Sequence, residues 1–219
     1  MNDIVTPDIK HSAQGSKLLF IDLNAADYSL GGSALAQVFS QIGDQTPEVD
    51  LELLQRAIRA VQTLIKQGHV LAGHDRSDGG LLTTVLEMAF AGNCGFDLVL
   101  PVDVPAVPYL FNEGLGMVLE VDEGLCAPLM RSLADNQIPA VILGSTRSEH
   151  RVTVAFPRSL TRRSDRARRF FWTSRCCRCD KRGSRRATSW RSWRTTASSW
   201  RRWVRGDGVT RRTIARACR

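Results

Sequence analysis

The chain has 219 residues and a formal charge of +8, with 30 Lys and Arg against 22 Asp and Glu. That length suits one domain of ordinary size plus an appendage, and no run approaches the roughly 18 consecutive apolar residues of a membrane span. A basic protein of this kind suggests nucleic acid as a partner, but the charge distribution argues otherwise. Residues 157–219 hold 20 Arg and one Lys against three Asp, a net of +18, which leaves residues 1–156 at −10.

Residues 1–16 are polar and lack the apolar core of a signal peptide, so they are expected to be a disordered lead-in. Lys17 to Leu23 (KLLFIDL) predicts a strand. After a loop, Gly31-Gly32-Ser33 opens a helix running to Ile42, with Ser33 as its N-cap; the glycine pair reads as a tight turn or a second anion site. Asp50 leads into the longest helix, where Leu54, Ile58, Val61 and Ile65 form a one-sided stripe ended by Gly68. A strand is predicted over 69–73 and a helix over 81–91, stopped by Gly92. Strands follow at 96–102 and 116–121, then a helix through Leu125, Leu129 and Leu133, then strands at 138–143 and 152–156. Short helices interleaved with strands, some joined as hairpins, predict an α+β fold: a mixed sheet covered by helices over residues 17–156. Cys94 and Cys126 imply no disulfide framework, and a reducing cytoplasm is the expected compartment.

Gly73-His74-Asp75-Arg76-Ser77-Asp78-Gly79-Gly80 lies between an apolar strand and an amphipathic helix. A strand end running into a helix amino terminus presents free N–H groups and the positive end of the helix dipole, both favourable to anions. Gly79 and Gly80 would let a phosphate approach the backbone. Asp75 and Asp78 could hold Mg²⁺ together with phosphate oxygens, Ser77 offers a hydroxyl, and Arg76 offers a guanidinium fork. The competing reading is a polar turn in which Asp78 caps the helix. His74 could be a base or ligand, or could simply bond a neighbouring backbone group. Asn112 and Glu113 sit in a turn before a strand, where they could serve as ligands but read more readily as a capped turn.

Beyond residue 156 the sequence changes character. All five Trp and four of the six Cys lie there, with one Leu, one Ile and no sustained period. Such a segment is expected to be disordered, since it cannot bury enough apolar surface to offset its ordering entropy. An Arg/Trp arm could bind single-stranded nucleic acid, and this is the alternative function. Cys176, Cys177 and Cys179 could bind metal, although their spacing fits no usual zinc pattern. The favoured reading is a GC-rich coding region translated out of frame, which makes the chain a piece of a broken gene.

The run GHDRSDGGLLTTVLEMAFAGNCGFDL, with LLFIDL and LGGSALAQVF upstream and LFNEGLGMVLEV downstream, closely resembles the large single-chain bacterial phosphoribosylformylglycinamidine synthases. The resemblance spans roughly residues 17–156 and lies in their second aminoimidazole-ribonucleotide-synthetase-type carboxyl-terminal domain. It implies an α+β fold with a mixed sheet, and a ligase that aminates formylglycinamide ribonucleotide with glutamine and ATP in purine synthesis. It also implies Asp75 as a magnesium ligand and Ser77 as a contact to ATP or ADP, with Arg76, Gly79 and Gly80 shaping the nucleotide site. The partners implied are a nucleotide and the missing synthase and glutaminase domains; no membrane is implied, and nucleic acid is disfavoured. No glutaminase triad matches this chain, so the fragment alone is expected to be inactive.

Overall fold

Strand β1 (Lys17–Asp22) runs through the middle of the sheet, and its side chains show why. Leu18 and Phe20 point to one face, Leu19 and Ile21 to the other, and all four are fully buried. A strand buried on both faces reads as a continuous apolar run, and each such side chain contributes about 1.5–3 kcal/mol of hydrophobic stabilisation. The computed structural model describes residues 4–24, 27–43, 45–102 and 104–156, and the backbone of 168–172.

The remaining elements are α1 (Ala34–Val38), α2 (Leu51–Lys66), β2 (Ala72–Asp75), α3 (Gly80–Ala91), β3 (Gly95–Val99), α4 (Ala106–Phe111), β4 (Gly116–Val121), α5 (Cys126–Asp135), β5 (Ala140–Arg147), β6 (Val152–Phe156) and β7 (Arg168–Trp172). The sheet order is β2-β4-β1-β5-β3-β6-β7. β3 and β6 pair in parallel and every other neighbouring pair is antiparallel. The mixed sheet of the α+β expectation is therefore present, but none of the described strands within residues 17–156 pairs with its neighbour in sequence. Among the described strands, β6 and β7 alone are neighbours both in sequence and in the sheet.

Helices cover both faces. α3 and α4 pack on the face of Leu18 and Phe20, while α2 and α5 pack on the face of Leu19 and Ile21. α2 starts as expected, with the Asp50 carboxylate accepting from the N–H groups of Glu52 and Leu53. Its buried stripe is Ala57, Val61 and Leu64, whereas Ile58 is largely exposed. The buried stripe is thus rotated by about one position from the predicted one, with Ala57 at its start. α1 stops at Val38, four residues short of the predicted end, and Ser40 follows with φ 57°.

Two boundaries matter for the site. The predicted strand at 69–73 lies instead at Ala72–Asp75, because Gly68 (φ 72°) and His69 still close the end of α2. The polar Gly73, His74 and Asp75 can be strand residues because β2 is the sheet's outer strand. The lead-in also differs from the disordered segment expected. Residues 4–16 contain no helix or strand, yet Ile9 enters the core and Thr6 accepts from the Gly73 N–H. The cause is Glu120, a buried carboxylate on β4. It accepts from the N–H groups of Lys10 (2.7 Å) and His11 (2.9 Å) and from the Ser16 hydroxyl. Leaving such a group unpaired in the interior would cost several kcal/mol, so these donors are held in place. In the basic tail the backbone of Arg168–Trp172 pairs with β6; Cys176, Cys177, Cys179 and most of 157–219 lie outside the described residues.

Candidate functional site

The site begins where β2 ends. Asp75 pairs with Met117 of β4, and the chain then leaves the sheet through 76–79 and enters α3 at Gly80. Strand alternation sorts the residues. The Asp75 side chain is 77 % exposed, and that of Arg76 only 3 %. Ser77 is half-buried and Asp78 exposed, so the groups of Asp75, Ser77 and Asp78 reach solvent at the strand end.

Arg76 turns inward. Its N–H donates to the Gly116 carbonyl at 2.7 Å, its Nε to the Gly114 carbonyl, and its Nη2 to the Leu115 carbonyl (2.9 Å) and the Asp22 carboxylate (3.0 Å). The guanidinium also lies 5.0 Å from the centre of the Phe20 ring, in cation–π range. Burial lowers its pKa from the ordinary value, and the neighbouring Asp22 charge opposes that shift. The expected phosphate fork is therefore spent inside the chain. The burial has a plain cause: one face of the loop covers the edge of the core, and alternation places Arg76 there.

The two glycines also serve the chain itself. Gly79 (φ 86°) is the N-cap position of α3 and Gly80 has φ 74°, both in the left-handed region that favours glycine. A Cβ on Gly80 would lie 2.7 Å from the Leu110 carbonyl oxygen and the Phe111 backbone. Gly80 is thus required by the close approach of the α4 end. The Asp78 cap is not formed, since no side chain caps α3 from the N-cap position. His74 bonds locally: its Nδ1 lies 2.7 Å from the Asp75 carbonyl oxygen and its Nε2 3.3 Å from Glu87.

The residue at the mouth of α3 is Glu113. Its Oε1 accepts from the Gly79 N–H at 2.7 Å and from the Ala34 N–H at 2.8 Å. The octet and the Gly31–Gly32–Ser33 turn therefore converge on one internal carboxylate. Ser33 caps α1 as predicted, accepting from the Ala36 N–H; Gly32 turns with φ 74°, and a Cβ on Gly31 would meet the Gln45 carbonyl. Asn112, buried, accepts from the Gly114 N–H (2.8 Å) and donates to the Ser29 carbonyl (2.6 Å). No local sequence signal marks Glu113, because its partners are 34 and 79 residues away. The nearest signal was the Asn-Glu-Gly run before β4, read as a capped turn; it caps two helices other than its own.

For a divalent cation, Asp75 supplies an exposed carboxylate of the oxygen type that Mg²⁺ takes. Among the described residues no three His, Cys, Asp or Glu side chains gather into a metal shell. The donor set fits one ligand of a shell completed by phosphate, water and groups from elsewhere.

A family model described as AIR synthase related protein, C-terminal domain, matches residues 14–156. The chain belongs to this family. Phosphoribosylformylglycinamidine synthase of Homo sapiens is 46 % identical over 144 residues, covering 65 % of this chain and 11 % of the relative. The Dictyostelium discoideum protein of that name is 40 % identical over 150 residues, with the same two shares. The chain thus spans about a tenth of the length of the curated relatives it matches. In fold, this AIR-synthase-related domain superposes on Thermotoga maritima PurL complexed with ATP at a TM-score of 0.55 and 16 % identity, over 78 % of this chain and 27 % of that one. PurL complexed with FGAR gives a TM-score of 0.58 at 17 % identity, over 71 % and 27 %. The domain begins three residues before β1 and ends with β6, so the basic segment after Phe156 lies outside the match.

Proposed function

We propose that residues 14–156 form one nucleotide-facing domain of a phosphoribosylformylglycinamidine synthase, the glutamine- and ATP-dependent amination of formylglycinamide ribonucleotide. The kinship rests on the 40–46 % identical relatives that carry this name. The observation that carries the site reading is the sorting at the end of β2: Asp75 and Ser77 reach solvent on either side of a fully internal Arg76. Asp75 would hold Mg²⁺ by one oxygen, and Ser77 would donate its hydroxyl to a nucleotide phosphate. The metal, when bound, neutralises phosphate charge. Gly79 and Gly80 shape the loop without touching the nucleotide, and Arg76 fixes its orientation.

The chain is expected to lack turnover by itself: Asp75 and Asp78 are exposed, but among the described residues no three His, Cys, Asp or Glu side chains gather into a metal shell. The nucleic-acid alternative rests on residues outside the family match, of which only the backbone of 168–172 is described.

Calorimetric titration of the full chain with ADP, with and without Mg²⁺, tests the site. The expected result is Mg-dependent binding that Asp75→Asn weakens by about tenfold, the equivalent of about 1.4 kcal/mol. Binding indifferent to both Mg²⁺ and Asp75→Asn would remove Asp75 from the site. Product formation from substrate, Mg-ATP and ammonia by this chain alone would overturn the inactive-fragment reading.

A further inference from the structure

The loop at 76–79 is clamped at both ends and open in the middle. Its entry is held by Arg76, through the carbonyls of Gly114, Leu115 and Gly116. Its exit is held by the Gly79 N–H on Glu113. Both clamps come from one stretch, residues 112–116, which joins α4 to β4. Between them, Ser77 and Asp78 keep their side chains out of any hydrogen bond or ion pair with the described residues.

The Glu113 carboxylate sits where an incoming anion would meet the Gly79 amide, at the N-cap of α3. Two roles are open to a carboxylate in that position: a plug that a phosphate displaces, or a post that stays. Three features favour the post. One oxygen serves amides from two separate turns, at Gly79 and Ala34. The backbone beside it is pinned by both Asn112 bonds and by Arg76. A Cβ on Gly114 would come within 2.5 Å of Asn24 Nδ2 and 2.8 Å of Asn112 Oδ1, so the stretch has little room to swing.

We propose that Glu113 is a positioning residue that acts as the built-in hydrogen-bond acceptor at the mouth of α3. It presets the Ser77–Asp78 segment and leaves phosphate to the Ser77 hydroxyl and the Asp75 metal position, not the Gly79 amide. Its effect on nucleotide affinity rests on the function proposed above; its effect on the order of the loop does not. Preorganisation of this kind raises affinity by reducing the ordering that binding must impose.

The test uses the full chain with Glu113→Ala and Glu113→Gln, read by amide hydrogen exchange over 76–80 and by Mg-ADP titration. In Glu113→Ala, exchange over 77–80 should rise about tenfold, as expected for an amide freed from local protection, and Mg-ADP affinity should fall several-fold. Glu113→Gln keeps an amide oxygen as acceptor and should restore most of both. Exchange in β1 and β4 should not change in either variant, which separates loop order from fold. If Glu113→Ala does not fold, Glu113→Asp, shorter by one methylene, must show the same rise. Unchanged exchange over 77–80 would overturn the proposal. So would tighter binding of inorganic phosphate by Glu113→Ala, which would make Glu113 a plug. If the wild-type chain binds no Mg-ADP, the nucleotide reading fails, while the exchange contrast still decides the positioning role.

Discussion

The octet at 73–80 and the connector at 112–116 meet at the mouth of α3, and they contrast in an instructive way. The octet is rich in residue types associated with phosphate and metal, yet Arg76, Gly79 and Gly80 are taken up by the fold. The connector looks like an ordinary turn, yet Glu113 and three backbone carbonyls hold the octet in shape, while Asn112 braces the connector itself. Residue type announces what a side chain can do; its partners decide what it does. Asp75 and Asp78 are exposed and Ser77 is half-buried, while Arg76 and Gly80 are buried.

Breaking the internal half of this pairing should have the largest effect. Arg76→Ala would take the guanidinium from the mostly buried Asp22 carboxylate, which keeps the Asn24 N–H, and from the Gly114 and Leu115 carbonyls, of which Leu115 keeps the Leu23 N–H. Removing one member of a buried pair costs about 3–5 kcal/mol, to be read as a lowered urea midpoint of the full chain. Gly80→Ala comes next. A side chain there at φ 74° costs about 1–3 kcal/mol from the backbone alone, with the contact to the Phe111 backbone adding to it. Asp78→Ala should be the mildest, within about 0.5 kcal/mol, as for an exposed side chain without partners. If Arg76→Ala were as silent as Asp78→Ala, the division between internal and solvent-facing residues would collapse.

Much of the fold is legible in the chain before any coordinates. β1 announces itself as a run with apolar residues at every inner position, Asp50 and Ser33 cap the helices they precede, and Gly92 ends α3. These features depend on residues within one or two turns of each other. The strand order does not: β1 lies between β4 and β5, and β3 is separated from β4 by both β1 and β5. The order of the lead-in was equally hidden, because the Glu120 that holds Lys10 and His11 is more than 100 residues away.

Composition and local pattern were enough to determine an α+β domain ending near residue 156, a basic segment of different character after it, and an octet at a strand-to-helix junction. Tertiary structure alone decided which octet residues face solvent, that a carboxylate from a distant turn fills the mouth of α3, and that Arg76 supports the loop from beneath. The reason is range. Periodicity and capping act over a few residues and are written in local sequence, whereas the partner of a buried charge is chosen by which distant segments the sheet brings together.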